Sequence, residues 1–230
     1  MKNPMQLPNS NDAITLVNIS KNFRGKSLFN NFTWSVPFGH VVGLTGLNGS
    51  GKTTLLKIIC GLIRPDSGSV MIDGFDIITQ RTAVMRQIGV LFDDTRNLYW
   101  KLSAWDNIIY FCSIKHIFGK CANNRACELL HRFNLFDLRD EKVECLSFGT
   151  KRRLALACAI IHNPKIILLD EPTNGLDKKS KNIFDEWLLE LTGNQNNLTI
   201  ITGHDQTTID TYCTIKNSIS SYSNHKNNLQ

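Results

Sequence analysis

A glycine-rich run between an apolar stretch and a helix-forming stretch constrains this chain more than any other feature. Residues 46–53 read Gly-Leu-Asn-Gly-Ser-Gly-Lys-Thr, which fits the pattern G-x-x-x-x-G-K-[ST]. The glycines allow a tight turn whose backbone N–H groups face an anion. The preceding run Val41–Leu44 is typical of a buried strand, and Thr53–Cys60 predicts a helix whose N-terminus faces the phosphates. Together these features predict a phosphate-binding loop.

The lysine and threonine of this run have defined chemical parts. The Lys52 ammonium can reach the β- and γ-phosphates, which makes it a candidate catalytic residue, and the Thr53 hydroxyl can ligate Mg²⁺. The alternative is a glycine-rich turn with a chance lysine, which the flanking strand and helix patterns disfavour. The candidate nucleotide contacts of the run are Gly46, Leu47, Asn48, Gly49, Ser50, Gly51, Lys52, Thr53 and Thr54.

Composition narrows the class of protein. The chain has 230 residues, 42% hydrophobic and 20% charged, enough to bury the core of one large domain. No apolar run approaches the roughly 18 residues that span a membrane. Residues 1–11 are polar and lack the apolar core of a signal peptide, so we expect a cytoplasmic protein. Seven cysteines without a C-x-x-C pair indicate reduced thiols rather than disulfides or a zinc site.

The net charge of +6 is compatible with nucleic acid, acidic lipid or nucleotide phosphates as partners. The sequence has no long basic run and no patch in which basic and aromatic residues interleave. An ordinary solvated surface is therefore the favoured interpretation, and no nucleic-acid partner is expected.

Hydrophobic periodicity predicts the fold class. Alternation at 13–20 and 32–36 predicts strands of an antiparallel part, and compact apolar runs predict buried strands between helices at 88–92, 165–170 and 198–202. We predict an α/β protein with a P-loop NTPase core, in which helices flank a mostly parallel sheet. The additions are an N-terminal antiparallel β subdomain and a helical subdomain at about 93–162. The expected boundaries are a disordered N-terminus at 1–11, one domain at 12–213 and a polar tail at 214–230.

An acid pair supplies the second half of the predicted nucleotide site. The apolar run 166–169 is followed by Asp170 and Glu171. In a parallel sheet the carboxyl end of this strand lies beside the phosphate-binding loop, so Asp170 is expected to hold Mg²⁺. Glu171 is placed to polarise a water in line with the γ-phosphate, as a general base. A solvated acid pair at a strand end is the alternative, and the glycine-rich run upstream disfavours it.

Several segments resemble the motifs of one family, in the order in which the family has them. Residues 146–154 (LSFGTKRRL) are similar to the L-S-G-G-Q signature of the ATP-binding cassette, or ABC, ATPases. Asp170–Thr173 is similar to the end of the Walker B strand, Gly175–Asp177 to the D-loop, and Thr202–Asp205 to the segment that carries the switch histidine. Phe23 stands where the family has an aromatic ring stacked on adenine. The resemblance covers about residues 12–213.

The resemblance implies that two such domains share each ATP, in a homo- or heterodimer. ATP lies between the phosphate-binding loop of one domain and the signature of the other. Nucleotide contacts implied in this way, beyond the loop itself, are Phe23, Ser147, Gly149 and Asp177. His204 is implied to sense the γ-phosphate and joins Glu171 and Lys52 as a catalytic residue. The implied cofactors are ATP and Mg²⁺, with Thr53, Asp170 and Asp93 as metal residues.

The chain departs from the family pattern at three places. Asp93 stands where the family usually has glutamine; aspartate can serve the metal, but it only accepts hydrogen bonds and adds negative charge. The residues after it, 96–102, resemble drug- and polysaccharide-exporter subfamilies. Phe148 and Thr150 replace glycine and glutamine of the signature, while Ser147 and Gly149 remain, so we expect activity to be retained. The short segment after His204 predicts an abbreviated C-terminal part.

The resemblance favours the ATP-hydrolysing subunit of an ABC transporter, and of an exporter in particular. It implies a position on the cytoplasmic face of a membrane, docked on a separate membrane-spanning subunit. Tyr99, Trp100 and Trp105 are candidate contacts with that partner, and Trp105 suits internal packing equally well.

Three alternatives remain at this stage. A soluble ABC ATPase acting on nucleic acid or ribosomes is disfavoured by the single cassette and the lack of heptads. A regulatory module with little turnover is disfavoured by the presence of Lys52, Asp170, Glu171 and His204, although Asp93 favours it mildly. A P-loop kinase leaves residues 146–149 unexplained.

Overall fold

The computed structural model describes residues 12–92, 97–192, 194–203 and 206–219. Short 3-10 turns at Phe136–Leu138 and Val143–Cys145 precede the fifth helix. In chain order the strands and helices are β1 (Asp12–Phe23), β2 (Lys26–Pro37), β3 (His40–Thr45), α1 (Lys52–Ile59), β4 (Ser67–Ile72), β5 (Phe75–Asp76), α2 (Arg81–Gln87), β6 (Ile88–Leu91), α3 (Ala104–Ile114), α4 (Gly119–Arg132), α5 (Phe148–Ala159), β7 (Ile166–Asp170), α6 (Lys178–Leu191), β8 (Leu198–Thr202), α7 (Gln206–Tyr212) and β9 (Ile215–Ser218).

The strands form two sheets. One is antiparallel, in the order β2-β1-β4-β5, and the other is parallel, in the order β6-β7-β8-β3-β9. In the parallel sheet Thr202 lies opposite both Leu44 and Asp170, so β3, β7 and β8 end at the same edge. The predicted fold class is confirmed: a parallel α/β core carries an antiparallel sheet built mainly from the N-terminal strands.

Both faces of the inner strands of the parallel sheet are buried, which explains why β3, β7 and β8 are mainly apolar runs. Val41 and Ile201 belong to a hydrophobic cluster with the helices of the middle of the chain. Their chain neighbours Val42 and Ile200 point to the opposite face, into a cluster with α1 and the antiparallel sheet. Successive side chains of a strand alternate between faces, so each run contributes to both clusters.

Helices α3, α4 and α5 follow one another in the middle of the chain, and they share one hydrophobic cluster with strand residues such as Leu91, Ile167 and Leu169. These helices pack extensively on the sheet. Whether they form a separate helical subdomain at about 93–162 stays a prediction. No helix in the part of the chain that the structure describes combines the length and the apolar character that a membrane span requires.

The C-terminal boundary predicted from the sequence is wrong. Residues 215–218 of the expected polar tail form β9, which pairs in parallel with Val42–Thr45 at the edge of the sheet. Just before it, the Thr214 side chain accepts from the backbone N–H of Val41 at 3.2 Å. Strand β9 has the mixed sequence Ile-Lys-Asn-Ser, so its pairing follows from the free edge of β3 and not from an apolar pattern. Residues 1–11 lie outside the described part.

Candidate nucleotide-binding site

The glycine-rich loop joins the end of β3 to the start of α1, as predicted. Gly51 precedes the first helical residue and has φ +101°, a left-handed conformation that favours glycine. A methyl group on Gly51 would lie 3.0 Å from Phe29 and 3.1 Å from Leu28. Two constraints, backbone conformation and space, therefore require glycine at this position.

Lys52 is the first residue of α1, and its side chain turns back over the loop. Its Nζ donates to the carbonyl oxygens of Gly46, at 2.8 Å, and Leu47, at 3.2 Å. The residue is only 6% exposed. An ammonium group this buried is stable because its protons are hydrogen-bonded. The contacts hold a positive charge against the loop, where the phosphates of a nucleotide are expected.

Ser50 provides a test of whether the loop suits an anion. Its hydroxyl is buried and has no hydrogen-bond partner among the described residues. A methyl group on Gly46 would lie 2.7 Å from this oxygen, so the hydroxyl is packed inside the loop. A buried unpaired hydroxyl costs free energy, which a ligand with acceptor oxygens would recover. The loop therefore fits a phosphate group.

Asp170 ends β7 beside the loop and is 4% exposed. Its carboxylate accepts from the Thr53 hydroxyl, with distances of 3.0 and 2.9 Å to the two oxygens. It also accepts from the Thr202 hydroxyl at 2.6 Å. Carboxylate and hydroxyl oxygens are the ligands that Mg²⁺ prefers in nucleotide sites. Thr53 and Asp170 therefore fit this ion, and Thr202, which sequence reasoning missed, orients the carboxylate.

Glu171 follows Asp170 and turns out of the sheet. Its φ of +46° is uncommon for a residue with a side chain, and such strained conformations cluster at functional sites. Its backbone N–H donates to the carbonyl and the hydroxyl oxygens of Thr202, both at 3.1 Å, which holds the conformation. Glu171 lines a cavity of about 490 Å³ together with Leu28, Asn48, Gly49, Gly51, Lys52, Thr53, Thr54 and Asn174. The acid thus faces the same space as the phosphate-binding loop.

Residues of the predicted signature and D-loop form a second cluster. Ser147 and Asp177 are the N-caps of α5 and α6, and each accepts a hydrogen bond from a backbone N–H three residues on. Gly149 lies between the two helix starts, since a methyl group there would be 2.5 Å from Ser180 and 2.8 Å from Asp177. The Ser180 N–H holds the pKa of the Asp177 carboxyl below its ordinary value. Ser147 is an exposed residue.

Comparison with known proteins identifies the family. The sequence matches the family described as ABC transporter over residues 29–174. This chain belongs to that family. It is 35% identical to the ABC transporter ATP-binding protein NatA of Bacillus subtilis (strain 168), in an alignment that covers 87% of this chain and 82% of that protein. It is 37% identical to the daunorubicin resistance ATP-binding protein DrrA3 of Streptomyces coeruleorubidus, with 74% of this chain but only 53% of DrrA3 covered.

A solved structure supports the assignment. The structure of cbiO1 from Clostridium perfringens, described as part of the ABC transporter complex cbiONQ, has a TM-score of 0.77 and 27% identity; the alignment covers 90% of this chain and 84% of cbiO1. The chain is an ABC transporter ATP-binding subunit, and its family is one of ATPases. The sequence-based recognition of an ABC ATP-binding protein is confirmed.

Arg152 connects the motifs of the ABC subunit, and sequence reasoning missed it. The residue lies in α5 and is 2% exposed. Its guanidinium donates to the carbonyl oxygens of Phe92 at 3.0 Å, Asp170 at 3.2 Å and Glu171 at 2.8 Å. One side chain of the signature helix therefore holds the backbone of the acid pair and the end of the strand segment that precedes Asp93. The available sequence indication was a pair of arginines directly before the apolar second half of the helix.

Phe148, which replaces a glycine of the family signature, packs on a neighbouring segment. The ring lies against the D-loop of the ABC subunit: a methyl group on Gly175, which has φ +70°, would be 3.0 Å from it. Phe148 is 46% exposed, so its outer face remains open. The bulky residue thus packs on the D-loop, while Gly149, next to it, keeps the close helix contact.

Phe23, the residue implied to stack on adenine, stands apart from the cavity. Phe23 is 44% exposed and does not line it; its ring has the Lys21 ammonium 5.4 Å from its centre. Asp93 and His204 lie outside the described residues, so their roles stay predictions.

Proposed function

We propose that this ABC subunit forms an ATP-bound dimer that drives a separate membrane-spanning subunit, with export as the direction of transport. The observation that carries the proposal is the division of the site into two clusters. The loop, Lys52 and Glu171 line one cavity, whereas the exposed residue Ser147 stands at the start of another helix and does not line that cavity. A second copy or a related domain would supply its Ser147 to complete the site.

The chemistry of the first cluster is that of phosphoryl transfer to water. The Lys52 charge and the loop N–H groups bind the β- and γ-phosphates and stabilise the charge that develops on them. Thr53 and Asp170, with Asp93, would hold Mg²⁺, which neutralises phosphate charge when bound. Glu171 accepts a proton from the attacking water as the general base. His204 senses the γ-phosphate, and Phe23 stacks on adenine.

The second cluster belongs to the facing nucleotide. The N-terminus of α5 carries partial positive charge, and Ser147 offers a hydroxyl beside it. Gly149 allows the close approach of α5 and α6, and Asp177 aligns the interface at the D-loop. ATP then joins the two domains, and hydrolysis removes the charge that closes them. The partner domain is identical in a homodimer and related in a heterodimer.

An exposed aromatic patch, formed by Tyr99, Trp100 and Tyr110, suits the membrane-spanning partner. The three side chains are 47%, 44% and 37% exposed, respectively. The hydroxyl oxygens of Tyr99 and Tyr110 are 2.8 Å apart, and the Lys151 ammonium of α5 lies 4.8 Å from the centre of the Trp100 ring. The patch is therefore connected to the signature helix. Trp105 packs against the core instead, which favours the internal role considered for it.

Location and direction follow from the proposed partner. Docking on a membrane-spanning subunit would place the domain at the cytoplasmic face of a membrane. The name of DrrA3, a daunorubicin resistance protein, supports export. No nucleic-acid partner is required by this arrangement.

The test compares wild type with Glu171→Gln, using ATPase assays and sedimentation with and without ATP. We expect wild type to hydrolyse ATP and Glu171→Gln to lose about 10²–10⁴-fold in rate, because the amide cannot accept the proton. With ATP retained, the variant should accumulate as a dimer. Glu186→Gln is the matched control, because Glu186 is an exposed glutamate of α6. A Glu171→Gln protein that binds ATP and stays monomeric would contradict the dimer.

A further inference from the structure

A chain of three polar side chains begins the signature helix. The Thr150 hydroxyl oxygen is 2.8 Å from that of Ser147, and the Arg153 guanidinium donates to it at 3.3 Å. The backbone N–H of Thr150 donates to the Ser147 hydroxyl oxygen at 3.2 Å. Ser147 is exposed, whereas Thr150 is 6% and Arg153 7% exposed. The chain therefore runs from the protein interior to the surface.

The directions of these hydrogen bonds follow from counting protons. A guanidinium only donates, so the Thr150 oxygen accepts from Arg153. If Ser147 donated to Thr150, the buried Thr150 proton would have no partner in these contacts, and burying an unpaired hydroxyl is unfavourable. If Thr150 donates to Ser147, the buried Thr150 hydroxyl is paired both as a donor and as an acceptor. Ser147 then accepts twice, from the Thr150 N–H and hydroxyl, and its own proton remains for a ligand.

Further hydrogen bonds fix the position of the Arg153 guanidinium and so maintain these hydrogen-bond directions. Its guanidinium also donates to the carbonyl oxygens of Phe133, at 2.6 Å, and Asn134, at 2.9 Å, at the end of α4. The start of α5 is fixed from the other side by the contact of Gly149 with Ser180 and Asp177. The three hydrogen-bonded side chains are thus held by contacts with two neighbouring helices, α4 and α6.

From this geometry we propose that Thr150 is a positioning residue, which makes the Ser147 hydroxyl a hydrogen-bond donor toward the phosphate of the ATP held by the facing domain. The inference rests on the proposed dimer. It adds that Thr150, held by Arg153, positions Ser147. The threonine at a position where the family usually has glutamine is then a functional feature. Serine could replace it, because only the hydroxyl is used, whereas valine, of the same shape, could not.

The experiment uses Glu171→Gln as the parent, so that ATP persists. Thr150→Val and Thr150→Ser are added to it, and the ATP-dependent dimerisation constant is measured by sedimentation. We expect Thr150→Val to weaken dimerisation about tenfold, the loss typical of a hydrogen bond to a charged group. Thr150→Ser should match the parent. ATP affinity of the monomer, measured under dilute conditions, should stay unchanged in both, because Thr150 does not line the cavity.

A double-mutant cycle separates positioning from a structural effect. If Thr150 acts through Ser147, adding Thr150→Val to Ser147→Ala should weaken dimerisation no further than Ser147→Ala alone. Additive losses, or a Thr150→Ser protein as weak as Thr150→Val, would overturn the proposal, and so would unchanged dimerisation of Thr150→Val. In those three cases the parent still dimerises and the proposed function stands. A parent that stays monomeric with ATP would overturn both.

Discussion

At the scale of single residues, Lys52 shows how a buried charge serves a site. Two hydrogen bonds to loop carbonyls hold its ammonium beside the loop, so a phosphate bound there would meet the charge without a change in loop conformation. We expect Lys52→Ala to weaken ATP binding on the order of 10²-fold, as two charge-assisted hydrogen bonds to phosphate are lost, and to reduce ATPase activity to background.

Nucleotide titration and an ATPase assay check this prediction. Lys120→Ala is the control, because Lys120 is an exposed lysine of α4. Normal turnover in Lys52→Ala would show that the loop does not bind the phosphates as described.

At the scale of elements, α5 joins the signature to the acid pair through Arg152. Arg152→Met keeps the length and apolar stem of the side chain but leaves the carbonyls of Phe92, Asp170 and Glu171 without this donor. We expect the free energy of unfolding to fall by about 3 kcal/mol. We also expect kcat to fall on the order of 10²-fold, because a small displacement of Glu171 would misplace the proposed general base.

Urea denaturation and steady-state kinetics measure the two effects. KM for ATP should change little, since Arg152 does not line the cavity. Arg152→Lys, which keeps a charge but not the planar set of donors, should be intermediate. An Arg152→Met protein with wild-type kcat would exclude the positioning role.

At the scale of the whole molecule, His162 links distant elements and makes stability depend on pH. Its Nε2 lies 3.1 Å from the carbonyl oxygen of Ile88, in β6, and 3.2 Å from the Lys115 ammonium, after α3. Burial, assisted by the charge of Lys115, lowers the pKa of His162 from 6.5 to about 4. Between these values the unfolded chain binds a proton that the folded chain does not. Stability is therefore full above pH 6.5 and is lost as the pH falls toward 4.

We expect His162→Gln to reduce this acid sensitivity, because glutamine can still donate to Ile88 but does not titrate. Between pH 7.5 and 5, the melting temperature of wild type should fall roughly 3 °C more than that of the variant, after allowance for the partial exposure of the ring. Thermal denaturation monitored by circular dichroism at both values measures the difference. Equal decreases would show that other groups govern the acid response.

The features that the sequence determined by itself are local. The glycine-rich loop can be recognised from contiguous residues, and the acid pair from the apolar strand before it. These two local patterns predicted that Lys52 and Glu171 belong to one site. The fold class likewise follows from strand and helix periods. The signature, by its resemblance, led to the family.

Tertiary structure decided whatever joins distant segments. Strand β9 forms because β3 has a free edge, not because Ile215–Ser218 has a strand pattern. Thr202 lies beside Asp170 because β7 pairs with β8. Arg152 donates to the carbonyl oxygen of Phe92, 60 residues away in sequence. Hydrogen bonds are short and directional, so which groups they join depends on packing that no contiguous pattern encodes.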